Sequence, residues 1–196
     1  MTTAPLILGF DTSGPHVSAA LLRGNETLAL ISEDMKRGQA ERLMPMLEET
    51  LVQGQVTWAD LSAIGVGIGP GNFTGIRISV SAARGLALGL AIPAVGVSSF
   101  EATSLDETAP HIATVPAPRE QVYALGEGFP DPKLIPATEV NAALVRSLLP
   151  PDQLVTNIAR IAATKHTQSP PRPAPLYIKP ADAAPPRDPA PVILYD

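Results

Sequence analysis

Ile68-Gly69-Pro70-Gly71-Asn72-Phe73-Thr74-Gly75-Ile76-Arg77-Ile78-Ser79 is the stretch on which the reading of this chain turns. It follows Ala63–Gly67, a short apolar, Gly-rich run with the character of a buried strand. It precedes a long small-residue pattern, Ile76 to Ala91, with the character of a helix. Three glycines and a proline at such a junction make a tight turn that aims backbone N–H groups outward. A helix N-terminus, with its unpaired N–H groups, is a docking point for an anion or a partner. The turn is no P-loop, since no Gly-Lys-Ser/Thr follows, and no dinucleotide fingerprint, since the GxGxxG spacing fails. It displays Asn72, Phe73 and Thr74, and an aromatic at an exposed loop tip suits a contact better than a fold.

The helix that follows is smooth, carrying Ser79, Ser81, Ala82, Ala83, Gly85, Ala87 and Gly89. A mid-helix glycine costs about 0.5–1 kcal/mol relative to alanine, so Gly85 and Gly89 call for a packing reason. That reason lies either inside the lobe or at a protein–protein interface. Arg77 and Arg84 stand seven apart on one face, able to reach a partner's carboxylates or simply solvated.

Outward from this stretch, the N-terminal side reads as three antiparallel strands: Leu6 to Phe10, Val17 to Leu22 and Thr27 to Ser32. Gln39 to Val52 has helical spacing, with Leu43, Met46 or Leu47, and Leu51 on one face. Thr57 to Asp60 resembles a capping box. On the other side, Pro93 ends the long helix, Ala94 to Val97 reads as a strand, and Ser98-Ser99 caps a helix through Phe100 to Ser104. Ile112 to Val115 and Gln121 to Leu125 form a strand pair. Thr138 to Leu149 reads as a helix stopped by Pro150-Pro151, with a last strand at Leu154 to Thr156 and a helix at Ile158 to Lys165. The pattern is mixed α/β: a first lobe over 1–104, a shortened second lobe over 105–169, and a Pro-rich segment over 170–196 that is extended or draped over the surface.

Composition narrows the possible functions. With hydrophobic residues at 45% and aromatics at only 4%, the core must be built from Ala, Val, Leu and Ile. The absence of cysteine excludes disulfides, thiol nucleophiles and thiolate metal sites. A net charge of −5 argues against unaided binding to a nucleic-acid backbone. No stretch suits a membrane span, and Met1 to Pro5 lacks a positive signal-peptide region, so the expectation is a cytoplasmic protein. The histidines His16, His111 and His166 make no HxxxH or HExxH arrangement, so no metal site is expected. Asp11, Thr12 and Ser13, at the end of the first strand, could hold a hydrated Mg²⁺ and a phosphate, or could simply satisfy the backbone of their own turn.

Taken in order, Leu6-Ile-Leu-Gly-Phe-Asp-Thr-Ser, Ala40-Glu-Arg-Leu-Met-Pro-Met-Leu, Gly69-Pro-Gly-Asn-Phe-Thr-Gly-Ile-Arg-Ile, Arg84-Gly-Leu-Ala-Leu-Gly-Leu with Pro93, and Gly96-Val-Ser-Ser-Phe-Glu resemble the TsaB (YeaZ) family. That family is the accessory subunit of the bacterial threonylcarbamoyladenosine tRNA-modification machinery. The match covers roughly residues 6–105, and Pro175-Leu-Tyr-Ile-Lys-Pro-Ala resembles the family's C-terminal end. The resemblance implies an actin-like ATPase fold (ASKHA, ribonuclease H-like) of two related lobes. It implies a non-catalytic scaffold that pairs with the catalytic subunit TsaD, which transfers a threonylcarbamoyl group to N6 of adenosine 37 in tRNAs reading ANN codons, or with a second copy of the chain. A TsaE-like ATPase and tRNA would be reached only through the complex. The expected interface is Glu41, Leu43 and Met44 on one helix, with Asn72, Phe73, Thr74, Ile76, Arg77, Val80, Arg84, Gly85 and Gly89 on the other. No intrinsic cofactor is expected. The competing reading is an ATP-binding switch or kinase-like enzyme using Asp11, Thr12, Ser13, Gly69, Gly71 and Gly75 on ATP and Mg²⁺. A peptidase reading has neither a cysteine nor a zinc motif to carry it. Gln39 stands where the family often has His, Asn72 where it has Ser, and Pro116 to Tyr123 lacks an acidic residue and an arginine usual there. These departures bear on a nucleotide site, which needs both lobes, and leave the first-lobe helices untouched.

Overall fold

Two sheets organise the computed structural model, which describes residues 4–178. The first is built from β1 (Leu6–Asp11), β2 (His16–Arg23), β3 (Glu26–Asp34), β4 (Ala63–Gly67) and β5 (Ala94–Val97), in the order β3-β2-β1-β4-β5. The first three are antiparallel; β4 and β5 join parallel. β1, β2 and β4 are buried almost throughout, as expected for strands covered on both faces.

One face of this sheet carries Leu6, Leu8, Phe10, Val17, Ala19, Ile64 and Val66. Helices α1 (Gln39–Gln53) and α2 (Phe73–Leu90) cover it, α1 through Leu43, Met46, Leu47 and Leu51. α1 is also held by Arg42, whose guanidinium meets Glu33 of β3 and Glu49; the Arg42 hydrogen bond is the main reason Glu33 stays ionised below the usual carboxylate range. The opposite face, with Ile7, Ala20, Leu22, Ala63 and Val95, is covered by α4 (Pro151–Lys165). α4 comes close because Gly9 and Gly65 present no side chain: a Cβ there would lie 2.8 Å from Ala159 Cβ and 2.9 Å from Ala162 Cβ.

The second sheet comprises β6 (Ile112–Ala117), β7 (Gln121–Gly126), β8 (Phe129–Pro136) and β9 (Val145–Ser147), in the order β8-β7-β6-β9, with β9 parallel to β6. This repeats the order and directions of the first four strands of the first sheet in reduced form. Between the sheets runs α3 (Ser99–Ser104), capped reciprocally by Ser98 and Glu101.

The sequence expectations over the first 104 residues match these elements closely; those beyond require three corrections. The helix expected at Thr138 to Leu149 is replaced by two 3₁₀ turns and β9. Asn141 Oδ1 accepts from Ala143 N at 3.1 Å, a local turn that competes with a continuing helix. The strand at Leu154 to Thr156 and the helix after it are one helix, α4. Pro151 stands in its first turn, where proline initiates rather than stops. That helix packs on the first sheet, so residues 151–165 return to the first lobe although they fall within the span expected for the second. β8 was not foreseen: Pro130 and Pro132 hide an edge strand, where proline is tolerated. Lys179 to Ala181, part of the C-terminal resemblance, lie outside the described residues.

Candidate functional site: an enclosed loop and an exposed helix face

The Asp11–Ser13 turn and the Gly69–Gly75 segment meet at the ends of β1 and β4. Asp11, Thr12 and Ser13 are buried. Asp11 Oδ2 accepts from Ser13 N at 3.2 Å, Ser13 Oγ at 2.9 Å and His16 Nε2 at 2.7 Å. Thr12 Oγ1 donates to Gly75 O at 2.6 Å, and Asn72 N donates to Ser13 O at 2.7 Å. Gln39 reaches into the same knot, its Nε2 donating to Gly14 O at 2.8 Å and His16 O at 2.7 Å. A Cβ on Gly71 would collide with Ser13 O, and one on Gly75 with Thr12 O; both positions need glycine because the turn and loop lie backbone to backbone.

Three donors from two residues, Ser13 and His16, bind Asp11 Oδ2. The other oxygen, Oδ1, has no hydrogen-bond partner among the described residues and lies against Gly67, where a Cβ would collide with it. The N–H of Gly75 is taken by Asn72 Oδ1 at 2.8 Å, which caps α2. Gly69 has φ +90° and turns the chain into Pro70. Gln39 and His16 were missed as site residues; a buried polar residue at a helix start, beside a turn full of carbonyls, was the available signal.

The expected interface residues divide. Leu43, Ile76 and Val80 are buried in this chain, as part of its core. Phe73 and Thr74 are not a loop tip: α2 begins at Phe73, and Phe73 is half-buried. Glu41 and Met44 on α1 are exposed, as are Asn72, Arg77, Arg84, Gly85 and Gly89. Leu88, not foreseen, lies on the same α2 face and is 82% exposed. A Cβ added to Gly85 or Gly89 would meet nothing within 4 Å. Among the described residues the glycines have no packing role.

Three antiparallel strands followed by two parallel ones, repeated in reduced form by a second sheet, define an α/β protein of the actin-like ATPase fold. Residues 30–168, more than half of the chain, match the family described as "TsaD: tRNA N6-adenosine threonylcarbamoyltransferase". Proteins named tRNA threonylcarbamoyladenosine biosynthesis protein TsaB are 38% identical over 94 residues in Escherichia coli (strain K12) and 40% identical over 95 residues in Bacillus subtilis (strain 168). Each alignment covers 48% of this chain, and the chain spans less than half the length of these curated relatives, 40% and 42%. A Pseudomonas aeruginosa crystal structure, described as having similarity to peptidase YEAZ, superposes with a TM-score of 0.69 at 25% identity, covering 89% of this chain and 100% of that one. The chain belongs to this threonylcarbamoyltransferase-type family, as a member of its TsaB/YeaZ branch.

Proposed function

We propose that this chain is a non-catalytic scaffold. It docks a TsaD-like subunit through the outer faces of α2 and α1 and so supports threonylcarbamoyl transfer to N6 of adenosine 37 in tRNAs reading ANN codons. The observation that carries this reading is the pair Gly85, inside α2, and Gly89, in its last turn, both exposed and with no neighbour among the described residues within 4 Å of either Cβ position. Each weakens α2 without improving packing at home, so the compensation lies outside the chain. A smooth surface lets another helix approach closely, since interaxial distance depends on the side chains at the crossing. The acidic chain reaches tRNA, and any TsaE-like ATPase, through that partner, in the cytoplasm where tRNA is modified. The closed Asp11–Ser13 turn gives this subunit a folding knot rather than a nucleotide site of its own.

The test is co-purification of the full chain with the same organism's TsaD-like protein, followed by mass analysis of the complex. Gly85→Leu and Gly89→Leu should abolish the heteromer while leaving the chain's circular dichroism intact. A heteromer that survives both substitutions would remove α2 from the interface.

A further inference from the structure

The C-terminal segment is more than a drape. Leu176 N donates to Ile68 O, at the end of β4, at 2.8 Å. Leu176 and Ile178 pack against Phe100, Ala113 and Val115. Tyr177, between them, turns the other way, as alternate residues of an extended chain do. Its ring stacks on Phe73, centroids 4.9 Å apart, and its hydroxyl accepts from Arg77 Nε at 2.9 Å. The Arg77 guanidinium lies 4.0 Å above the Phe73 ring. Three consecutive residues thus clip together the second-lobe core, the end of β4 and the first turn of α2.

Upstream of the clip, Pro170, Arg172 and Pro173 form one wall of a groove of about 540 Å³, whose other wall includes Arg84, Gly85 and Leu88 of α2. Pro175 continues it beside Arg77 and Ser81. The floor and walls are largely apolar or glycine, and among the described residues the charged ones lining it are Arg77, Arg84 and Arg172, with no carboxylate in either part. Among the described residues none of these arginines makes an ion pair. A cationic groove on a chain of net charge −5 is a local inversion of charge, which selects partners by complementarity.

We infer that the docking surface is composite: the strap 170–178 forms one side of it, α2 the other, and the occupant is a partner segment with a small or apolar ridge flanked by carboxylates. This rests on the scaffold reading above and names the chemistry of the partner. The Tyr177–Phe73–Arg77 clip holds the strap in place before the partner arrives, so the ordering of that segment is not charged against binding. A second copy is a poorer occupant. α2 against α2 across a two-fold axis sets Arg77 and Arg84 against the same residues, while the exposed acids of α1, Glu41 and Glu48, do not line the groove.

The experiment is calorimetric titration of the full chain with the TsaD-like protein, at low and high salt. Arg172→Glu and Arg84→Glu, both at exposed positions, should each weaken binding about tenfold or more, and the wild-type affinity should fall with salt. Tyr177→Ala should weaken it with the chain still folded, and Tyr177→Phe, which keeps the stack, should weaken it less. If Arg172→Glu and Tyr177→Ala bind like wild type while Gly89→Leu does not, the strap takes no part and the inference fails, with the scaffold reading intact. If wild type itself does not bind, the scaffold reading fails first. If the free chain is a dimer that Arg84→Glu dissociates, the occupant is a second copy and the acidic partner is refuted.

Discussion

Replacing Gly85 and Gly89 together by alanine should make the isolated chain more stable and the complex weaker. In a helix interior, Gly to Ala gains about 0.5–1 kcal/mol where the new methyl meets no obstacle. Neither position has a heavy atom of the described residues within 4 Å of the Cβ site, so no clash among them subtracts from that gain. Gly85 lies inside α2 and takes the full gain, whereas Gly89, one turn on and in the last turn, takes less, so the pair together gives about 1 kcal/mol. For a chain of this size each kcal/mol moves the melting temperature by about 2–4 °C, so scanning calorimetry should read a rise of about 2–4 °C. At a close helix crossing the same two methyls are overpacking, which costs about 1–3 kcal/mol and lowers affinity about tenfold or more. The signature is the opposition of sign. A fall in melting temperature would mean the glycines serve the chain's own fold. A rise with unchanged affinity would leave them unexplained and remove the observation on which the scaffold proposal stands.

Gln39→Ala leaves the carbonyls of Gly14 and His16 without their donor and should cost about 1–3 kcal/mol in urea unfolding. Asp11→Ala strands His16 Nε2 and both Ser13 donors in the interior and should cost at least as much. Mg-ATP should not shift the melting temperature of the isolated chain; a shift of several degrees would show that the Asp11 turn opens to bind it. Burial alone would raise the Glu101 carboxyl, but hydrogen bonds from Lys165 and Ser98 outweigh it and hold it below its ordinary 4.5. A carboxyl depressed in the folded state stabilises above its unfolded value, and that contribution is lost as pH falls through the folded one. Unfolding free energy should therefore drop as pH falls below 4.5, and Lys165→Met should flatten that drop.

The fold of the first lobe was legible because its signals are local. β4 and β5 lie where short apolar runs end at Gly or Pro, and α3 begins where Ser98 and Glu101 satisfy each other's backbone. The second lobe was less legible because its elements are defined by what they pack on. Pro150-Pro151 carries the same local message whether it stops one helix or starts another. Only the stripe Val155, Ile158, Ala159 and Ala162, seated over Gly9 and Gly65, decides. At the site, spacing alone could not separate the inner from the outer face of α2. Ile76 and Val80 share the helix with Arg77 and Arg84, yet a rotation of about 100° per residue puts the first pair in the core and the second outside. Tyr177 lies one hundred residues from Arg77, and no local pattern announces their hydrogen bond.

The Gly69–Gly75 loop and α2 have to be understood together. In the loop, Gly71 and Gly75 allow the backbone to press on the Asp11–Ser13 turn, and Thr12 Oγ1 and Asn72 N tie the two together. In the helix, Gly85 and Gly89 press on nothing among the described residues. The first pair fixes where α2 starts and along which line it runs; the second leaves its far half bare. On the scaffold reading these are two halves of one arrangement, because a bare helix is useful to a partner only if its axis is fixed. The reading therefore links variants that share no contact. Gln39→Ala, which touches only the knot beneath the loop, should loosen α2's first turn and lower affinity for the TsaD-like protein, with Gly85 and Gly89 untouched. Hydrogen exchange of the 73–80 amides, measured beside the binding titration, separates this from general loss of fold: faster exchange there with the sheet amides unchanged is the expected result. Weakened binding with no change in those amides would break the link between knot and interface.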